Sequence, residues 1–288
     1  EIITTPFTWV ATITAIKLEN CFPVFCDIEK STFNIDASKI EDHITPNTKA
    51  IMPVHVFGNP CDVIKIEKIA KKYKIPVIYD AAHAVGSQFN NKSILNFGDI
   101  SATSFHATKI INSGGEGGGV ITSNTTLAKK LKRIRFFGYN EERTDVLEDG
   151  MNGKLSEIQS ALGILNLKSL NKIMRTRKKK YFLYLNNLKD NENISFQKLK
   201  YGKPNYSYFP IIFKNERALL RIKNILNKKN IFPRRYFYPS INKFNKIVNS
   251  EKQIESEYLA KRILCLPLFY DLEDIVINAI CNIINDRL

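Results

Sequence analysis

The sequence has little from which to build covalent or metal staples. Its 288 residues include only 5 cysteines. They stand at Cys21, Cys26, Cys61, Cys265 and Cys281, and no two have a CxxC spacing. A scattered, odd set of this kind argues against a disulfide framework and against a metal site, and it fits a reducing, cytoplasmic compartment. Long apolar runs are missing too: none approaches the ~18–20 residues a membrane span needs, so no membrane partner is expected. No internal repeat or low-complexity linker interrupts the chain. Acidic residues are scarce, with Lys+Arg 43 against Asp+Glu 28 and a formal net charge of +15. Such an excess favours polyanions, whether nucleic acid, acidic lipid or a phosphorylated small molecule. Helix-turn-helix, RNA-binding sheet and zinc-finger signatures are absent, so a nucleic-acid partner is not expected.

What is present reads as a globular α/β chain. Hydrophobic residues make up 44% and charged residues 25%, enough apolar content to build a core rather than a disordered chain. Strand signals at residues 23–27, 49–56, 76–79, 101–105 and 118–122 alternate with helix signals. A helix is expected from a cap at Asp36 through Ile44, and another over 61–74 with Val63, Ile66 and Ile69 on one face. This alternation predicts a mostly parallel sheet with helices on both faces, and such sheets hold ligands at the carboxyl ends of their strands. Helical patterns follow at 155–170 and 172–188. A smaller α+β lobe follows, with a strand at 206–213, a helix at 216–229 and two closing helices. The expected division is residues 1–172 as the large domain and 173–288 as the small one. Glu1, not Met, opens the chain, and no basic stretch precedes the first strand-like run, so no signal peptide is read.

Three features can carry chemistry. Asp80 stands at a strand's carboxyl end, where it reads either as a ligand-facing carboxylate or as a helix cap. Lys109 lies in a loop between two apolar strands, five residues after Ser104 and followed by a glycine-rich run at 114–119. A desolvated lysine there becomes a nucleophile toward carbonyls; a surface lysine beside a flexible loop is the plain alternative. Trp9, the only tryptophan, reads either as a stacking platform or as a packed core residue. Together, an aromatic platform, a strand-end Asp, a Ser and a loop Lys are the parts that pyridoxal phosphate requires.

The strings Thr4–Thr12, Pro23–Ile28, Pro53–Gly58, Asp80–Ala84, Ser104–Lys109, Glu116–Gly118, Gly150–Ala161 and Cys265–Leu268 resemble the DegT/StrS family of sugar-nucleotide aminotransferases, which has the type I aspartate-aminotransferase fold. The resemblance covers essentially the whole chain. It implies that Lys109 is the Schiff-base lysine and proton shuttle, and that Asp80 pairs with the pyridine nitrogen. It implies that His83, where many members carry Gln, lies by the ring's phenolic oxygen, that Trp9 stacks on the ring and that Ser104 binds the phosphate. Asn152 would reach the phosphate of the neighbouring subunit's cofactor, making a homodimer with composite sites. Met151 replaces a frequent Tyr. Members carry roughly another quarter of chain before the position of Glu1, including a phosphate-binding turn at a helix N-terminus. A fragment lacking part of its phosphate cup, and thus catalytically silent, is one alternative.

The implied substrates are an amino-acid donor, usually glutamate, and a nucleotide-linked keto sugar. The strings Ser104–Lys109, Asn205–Pro210 and Arg234–Pro239 resemble members that convert dTDP-4-keto-6-deoxyglucose to dTDP-4-amino-4,6-dideoxyglucose, a step toward O-antigen or another surface glycan. UDP-linked and 3-keto sugars remain open. Arg234, Arg235, Tyr236 and Tyr238 are the expected contacts to diphosphate and sugar, against a solvated loop as the alternative. The basic run Arg175–Lys180 reads as a solvated helix face. A sugar dehydratase on the same scaffold would carry His at the lysine position, and Lys109 stands against it.

Overall fold

The computed structural model describes every residue except Asn249. Its first part is a sheet that feeds one edge. Strands β1 (Ile2–Thr4), β2 (Pro23–Phe25) and β3 (Ala50–Met52) pair in parallel in the order β2-β1-β3. Strands β4 (Ile78–Asp80), β7 (Ile100–Ser104) and β8 (Gly118–Ile121) form the other half, with β8 antiparallel to β7. A hairpin of β5 (Gln88–Phe89) and β6 (Lys92–Ser93) lies between them in sequence. Parallel bridges Ile51–Val77 and Val54–Asp80 join the halves into one layer. Pro53 breaks the ladder at the seam, since it has no N–H to donate, but its carbonyl accepts from Asp80 N at 2.9 Å. The expected mostly parallel sheet is therefore present.

Helices α1 (Val10–Leu18) and α2 (Val63–Tyr73) flank this sheet. Helix α2 follows the expected pattern, burying Val63, Ile66 and Ile69 while its lysines face water. The helix expected from Asp36 to Ile44 is corrected to a single 3-10 turn at Ile40–His43. Asp36 instead folds back on Ser38, accepting from its N–H and hydroxyl, which holds the segment in a turn. Helix α3 (Thr125–Arg135), which the sequence pattern did not announce, and helix α4 (Glu157–Lys168) bury no residue within this chain.

Helix α5 (Leu170–Leu188) contains the expected lobe boundary and leads into an antiparallel sheet of β9 (Ile194–Phe196), β10 (Phe209–Phe213) and β11 (Ile263–Leu266), in the order β11-β10-β9. Helices α6 (Glu216–Lys228), α7 (Ile254–Ala260) and α8 (Asp274–Arg287) complete this lobe. Its core packs Tyr181, Tyr184 and Leu188 of α5 against Phe209, Leu219 and Ile280. A second core joins the two lobes, with Phe7, Phe33, Val54 and Phe57 meeting Phe237, Leu259 and Ile263. The run Arg175–Lys180 is not wholly a solvated face: Arg177 is buried, its Nη1 donating to the carbonyls of Ser207 at 3.0 Å and Leu268 at 2.9 Å.

Asp27, just beyond β2, ties the lobes by accepting from the N–H groups of Glu255 (2.8 Å) and Ser256 (3.0 Å) at the start of α7. A carboxylate on the first turn of a helix satisfies donors that the helix leaves unpaired. Asp27→Ala should cost roughly 1–2 kcal/mol of stability, read as a lowered urea midpoint. An unchanged midpoint would show that water replaces the carboxylate without loss.

Candidate functional site

A cavity of about 530 Å³ opens where β1, β4 and β7 end. Asp80 fixes its floor. The residue's backbone is gripped on both sides, by Pro53 through its N–H and by His55 N–H through its carbonyl at 3.1 Å, while Ala81 N–H donates to Ala102 O of β7 at 2.8 Å. Its side chain is held as well: Thr12 Oγ1, from the first turn of α1, donates to Oδ2 at 2.7 Å, and Ala82 N–H donates to Oδ1 at 3.1 Å. Thr8 and Thr12 share a further hydroxyl contact at 2.8 Å. The carboxylate is thus oriented by neutral donors and stays available to a cation in the cavity.

Lys109 lines the same cavity. Burial pushes its ammonium below the ordinary lysine value, and the negative charge of Asp80 partly opposes that shift. Lys109 is therefore a loop lysine turned inward, and the plain surface reading does not hold. His83 forms a wall, stacked in near-parallel planes with Phe57 and Phe237. Burial, with Lys109's positive charge adding, drives its pKa well down, so the ring is neutral. Its Nδ1 accepts from Phe57 N–H at 3.3 Å, which leaves the ring proton on Nε2 as a donor. Asn205 from the second lobe, fully buried, braces this loop by donating to the carbonyls of His83 (2.6 Å) and Val85 (2.8 Å). Gly58 is needed beneath it: φ is +78°, and a Cβ would lie 2.2 Å from the Asn205 side chain.

Trp9 is 57% exposed, which excludes the packed-core alternative, and its ring meets Tyr236 edge-on at 6.0 Å above the cavity. Ser104, at the end of β7, lines the cavity and accepts from His106 N–H at 3.2 Å. Arg234 and Tyr236 reach in from the second lobe, joined by a 2.7 Å hydrogen bond from Nη1 to the phenol. Arg235 and Tyr238 do not reach it, which corrects the expectation that all four contact the substrate. Arg235 pairs with Glu216 at 2.7 Å, and its guanidinium lies 3.5 Å from the centre of the Tyr238 ring. Asn152 is exposed, bridges to Phe136 and lies outside the cavity of its own chain. Thr12, Tyr208 and the pair His106 and Glu116 also line the cavity and were not singled out from sequence. Thr12 alone had a usable signal, lying on the first turn after Trp9, where its hydroxyl faces the strand ends.

Pyridoxal phosphate fits this donor set. Its ring nitrogen requires a fixed acceptor, its aldehyde an amine of lowered basicity, and its ring face a flat aromatic, and Asp80, Lys109 and Trp9 offer these around one space. Among the described residues no cluster of His, Cys, Asp and Glu suited to a metal ion is found.

Comparisons with known proteins give the family. The DegT/DnrJ/EryC1/StrS aminotransferase family matches residues 1–285. A relative from Shigella dysenteriae named dTDP-4-amino-4,6-dideoxy-D-glucose transaminase is 40% identical, with 99% of this chain and 79% of the relative aligned. One from Escherichia coli with the same name is 38% identical, over 96% of this chain and 77% of the relative. The structure of Helicobacter pylori PseC, described as an aminotransferase involved in the biosynthesis of pseudoaminic acid, superimposes with a TM-score of 0.93 at 29% identity. That match covers 99% of this chain and 79% of the other.

The depressed basicity of Lys109 has a checkable sign. Its amine should appear, on raising pH, before the ordinary lysine range is reached, and Asp80→Asn should move that midpoint lower still by removing the one influence that raises it. Trace amine labelling of the cofactor-free protein with peptide mapping measures this. A Lys109 midpoint at the ordinary value would mean that the side chain is solvated, and one above it that the Asp80 charge outweighs burial.

Proposed function

We propose, from the premise that the chain belongs to the DegT/DnrJ/EryC1/StrS aminotransferase family and is an aminotransferase acting on a nucleotide-linked sugar, that it binds pyridoxal phosphate and moves an amino group from L-glutamate to dTDP-4-keto-6-deoxyglucose, giving dTDP-4-amino-4,6-dideoxyglucose. The observation that carries the reading is one cavity holding Lys109, Asp80 and Trp9 at the strand ends. When bound, the cofactor supplies the electron sink that allows the donor's α C–H bond to break. Asp80 accepts from the protonated ring nitrogen, held in line by Thr12 and Ala82. Trp9 covers the ring's face. His83 offers its Nε2–H to the ring's phenolic oxygen, which is the donor a Gln amide would present at that place. Ser104 contributes a hydroxyl to the phosphate. Lys109 Nζ takes the proton from the donor's α-carbon and later returns one to the carbon of the sugar that receives nitrogen. A lysine of lowered pKa suits both directions of that transfer.

Arg234 and Tyr236 stand where a diphosphate-linked sugar would enter, the guanidinium matching phosphate oxygens and the phenol a sugar hydroxyl. Free sugars lack that handle, so the remote contact would help hold the reacting carbonyl. Such water-soluble substrates fit a cytoplasmic enzyme, and no helix among the described residues is long and apolar enough to cross a membrane. The active form is a homodimer on this reading. Helix α4 exposes Ile158 (76%), Leu162 and Leu165 on one side and Ile164 and Leu167 on another, with Met151 and Asn152 just before it. A helix apolar on more than one side requires cover, and a second copy placed there would bring Asn152 toward its partner's cavity.

Incubation with L-glutamate and the keto sugar should yield the amino sugar nucleotide by mass spectrometry, and Lys109→Ala should abolish it. Product from a UDP-linked or 3-keto sugar alone would reassign the acceptor. Arg234→Gln should slow the sugar half-reaction by about tenfold or more, a lost charge-assisted contact; Arg235→Gln should not. Equal losses would return both arginines to a structural role. Ile158→Glu combined with Leu165→Glu should give monomers in sedimentation; a dimer that persists would place the interface elsewhere.

A further inference from the structure

Beside the main cavity lies a smaller one of about 190 Å³, and Thr108, Tyr208, Arg234 and Tyr236 line both. Arg177 of α5 closes its far side. Arg177 is only 9% exposed as a residue. Nη1 is committed to the carbonyls of Ser207 and Leu268, while Nε is buried without an acceptor. No acidic residue lines the small cavity, and no carboxylate among the described residues forms an ion pair with Arg177. A buried charge without a counter-ion is costly, and an anion bound in the cavity would offset that cost.

We infer that Arg177 marks an oxyanion subsite that receives the side-chain carboxylate of a dicarboxylic amino donor, and so selects that donor over monocarboxylic amino acids. The inference rests on the aminotransferase reading but not on the identity of the sugar. The reaction brings two anions. The diphosphate is assigned above to Arg234 at the larger cavity, which leaves the donor's carboxylate for Arg177 in the smaller one. Two carbonyls fix the orientation of this guanidinium through Nη1, which leaves Nη2 as the charged donor for a carboxylate. Position agrees. The subsite opens into the cavity that holds Lys109, so a donor anchored at Arg177 extends its amino end toward the lysine. Arg177 therefore determines specificity and positions the donor without touching the reacting atoms. The donor leaves before the keto sugar enters, so Arg234 can add positive potential to the first occupant and bind the second.

The test is a specificity ratio in the cofactor-loaded protein. Arg177→Gln removes the charge and leaves a shorter amide on the side of the two carbonyls; Arg177→Lys keeps the charge on a single nitrogen. The donor half-reaction is followed by cofactor absorbance with L-glutamate and with L-norvaline, which is of similar length but lacks the second carboxylate. Glutarate and butyrate binding is measured by calorimetry as a readout independent of turnover. Wild type should prefer glutamate and bind glutarate over butyrate. Arg177→Gln should lower both preferences by about tenfold or more while the norvaline rate and the sugar half-reaction stay near wild type. Arg177→Lys should fall between. Because each preference is a ratio within one protein, partial unfolding cancels. Equal loss for glutamate and norvaline would reduce Arg177 to a brace for β10 and β11. Loss confined to the sugar half-reaction would assign the subsite to the diphosphate. A wild-type enzyme that shows no preference for the dicarboxylate would also overturn the proposal.

Discussion

The placement of one carboxylate constrains everything else in the cavity. Asp80 sits where the ladder between β3 and β4 is interrupted by Pro53, and hydrogen bonds on either side of that interruption hold its backbone. A strand end fixed in this way cannot drift, so a single threonine on α1 and one backbone N–H suffice to aim the side chain. Parallel strands all finish at the same edge, which brings the start of α1, the loop after β4 and the loop after β7 to one place. Trp9, His83 and Lys109 come from three separate stretches of sequence and meet there because the sheet directs them to it.

The second lobe is locked to this edge by aromatic packing. Phe7 lies edge-on to Phe33, Phe57 and Phe237, and the His83 ring lies near-parallel to Phe57 and Phe237, with centroids 6.2 and 6.0 Å away. That arrangement gives His83 two constraints at once. Burial keeps it neutral, and the backbone contact at Nδ1 selects its tautomer. A cluster adequate only for packing would tolerate Leu at the same place; a neutral donor aimed into the cavity needs the imidazole. Asn205 crosses the lobe boundary to brace the same loop, so the packing that joins the lobes also sets the geometry of the site.

The places of β2, β3, β4, β7 and β8 along the chain, and Asp80 and Lys109 as candidates, were legible because they depend on local pattern: short β-branched runs, an acid at a run's end and a lysine between strands; the β5–β6 hairpin was not. What the sequence left open depends on direction and on distant partners. Arg234 and Arg235 look equivalent as neighbours, yet they lie in an extended segment, where Arg234 exchanges backbone hydrogen bonds with Cys265. Successive side chains there point to opposite sides, so one faces the cavity and the other Glu216. Choosing between them requires knowing which side the sheet covers. Arg177 is similar: within a run of lysines and arginines nothing marks it, and only the fold brings the carbonyls of Ser207 and Leu268 to its guanidinium. Helix α4 was recognisable as a helix, but its uncovered apolar sides are a property of what surrounds it rather than of its own pattern.

The net charge of +15 is a weak guide to partners taken as a total, since most of it lies on solvated helix faces. Its meaning is local. In the main cavity Asp80 stands near Lys109, and Glu116 stands 3.6 Å from His106. In the adjoining small cavity the charges are two guanidinium groups, with no acid beside them. The potential therefore rises from the strand ends toward α5. A substrate that carries an amine at one end and an anion at the other is oriented by that gradient before any single contact forms. A uniformly basic surface would gather anions without turning them; unpaired arginines at one end of a cavity and a held carboxylate at the other do both.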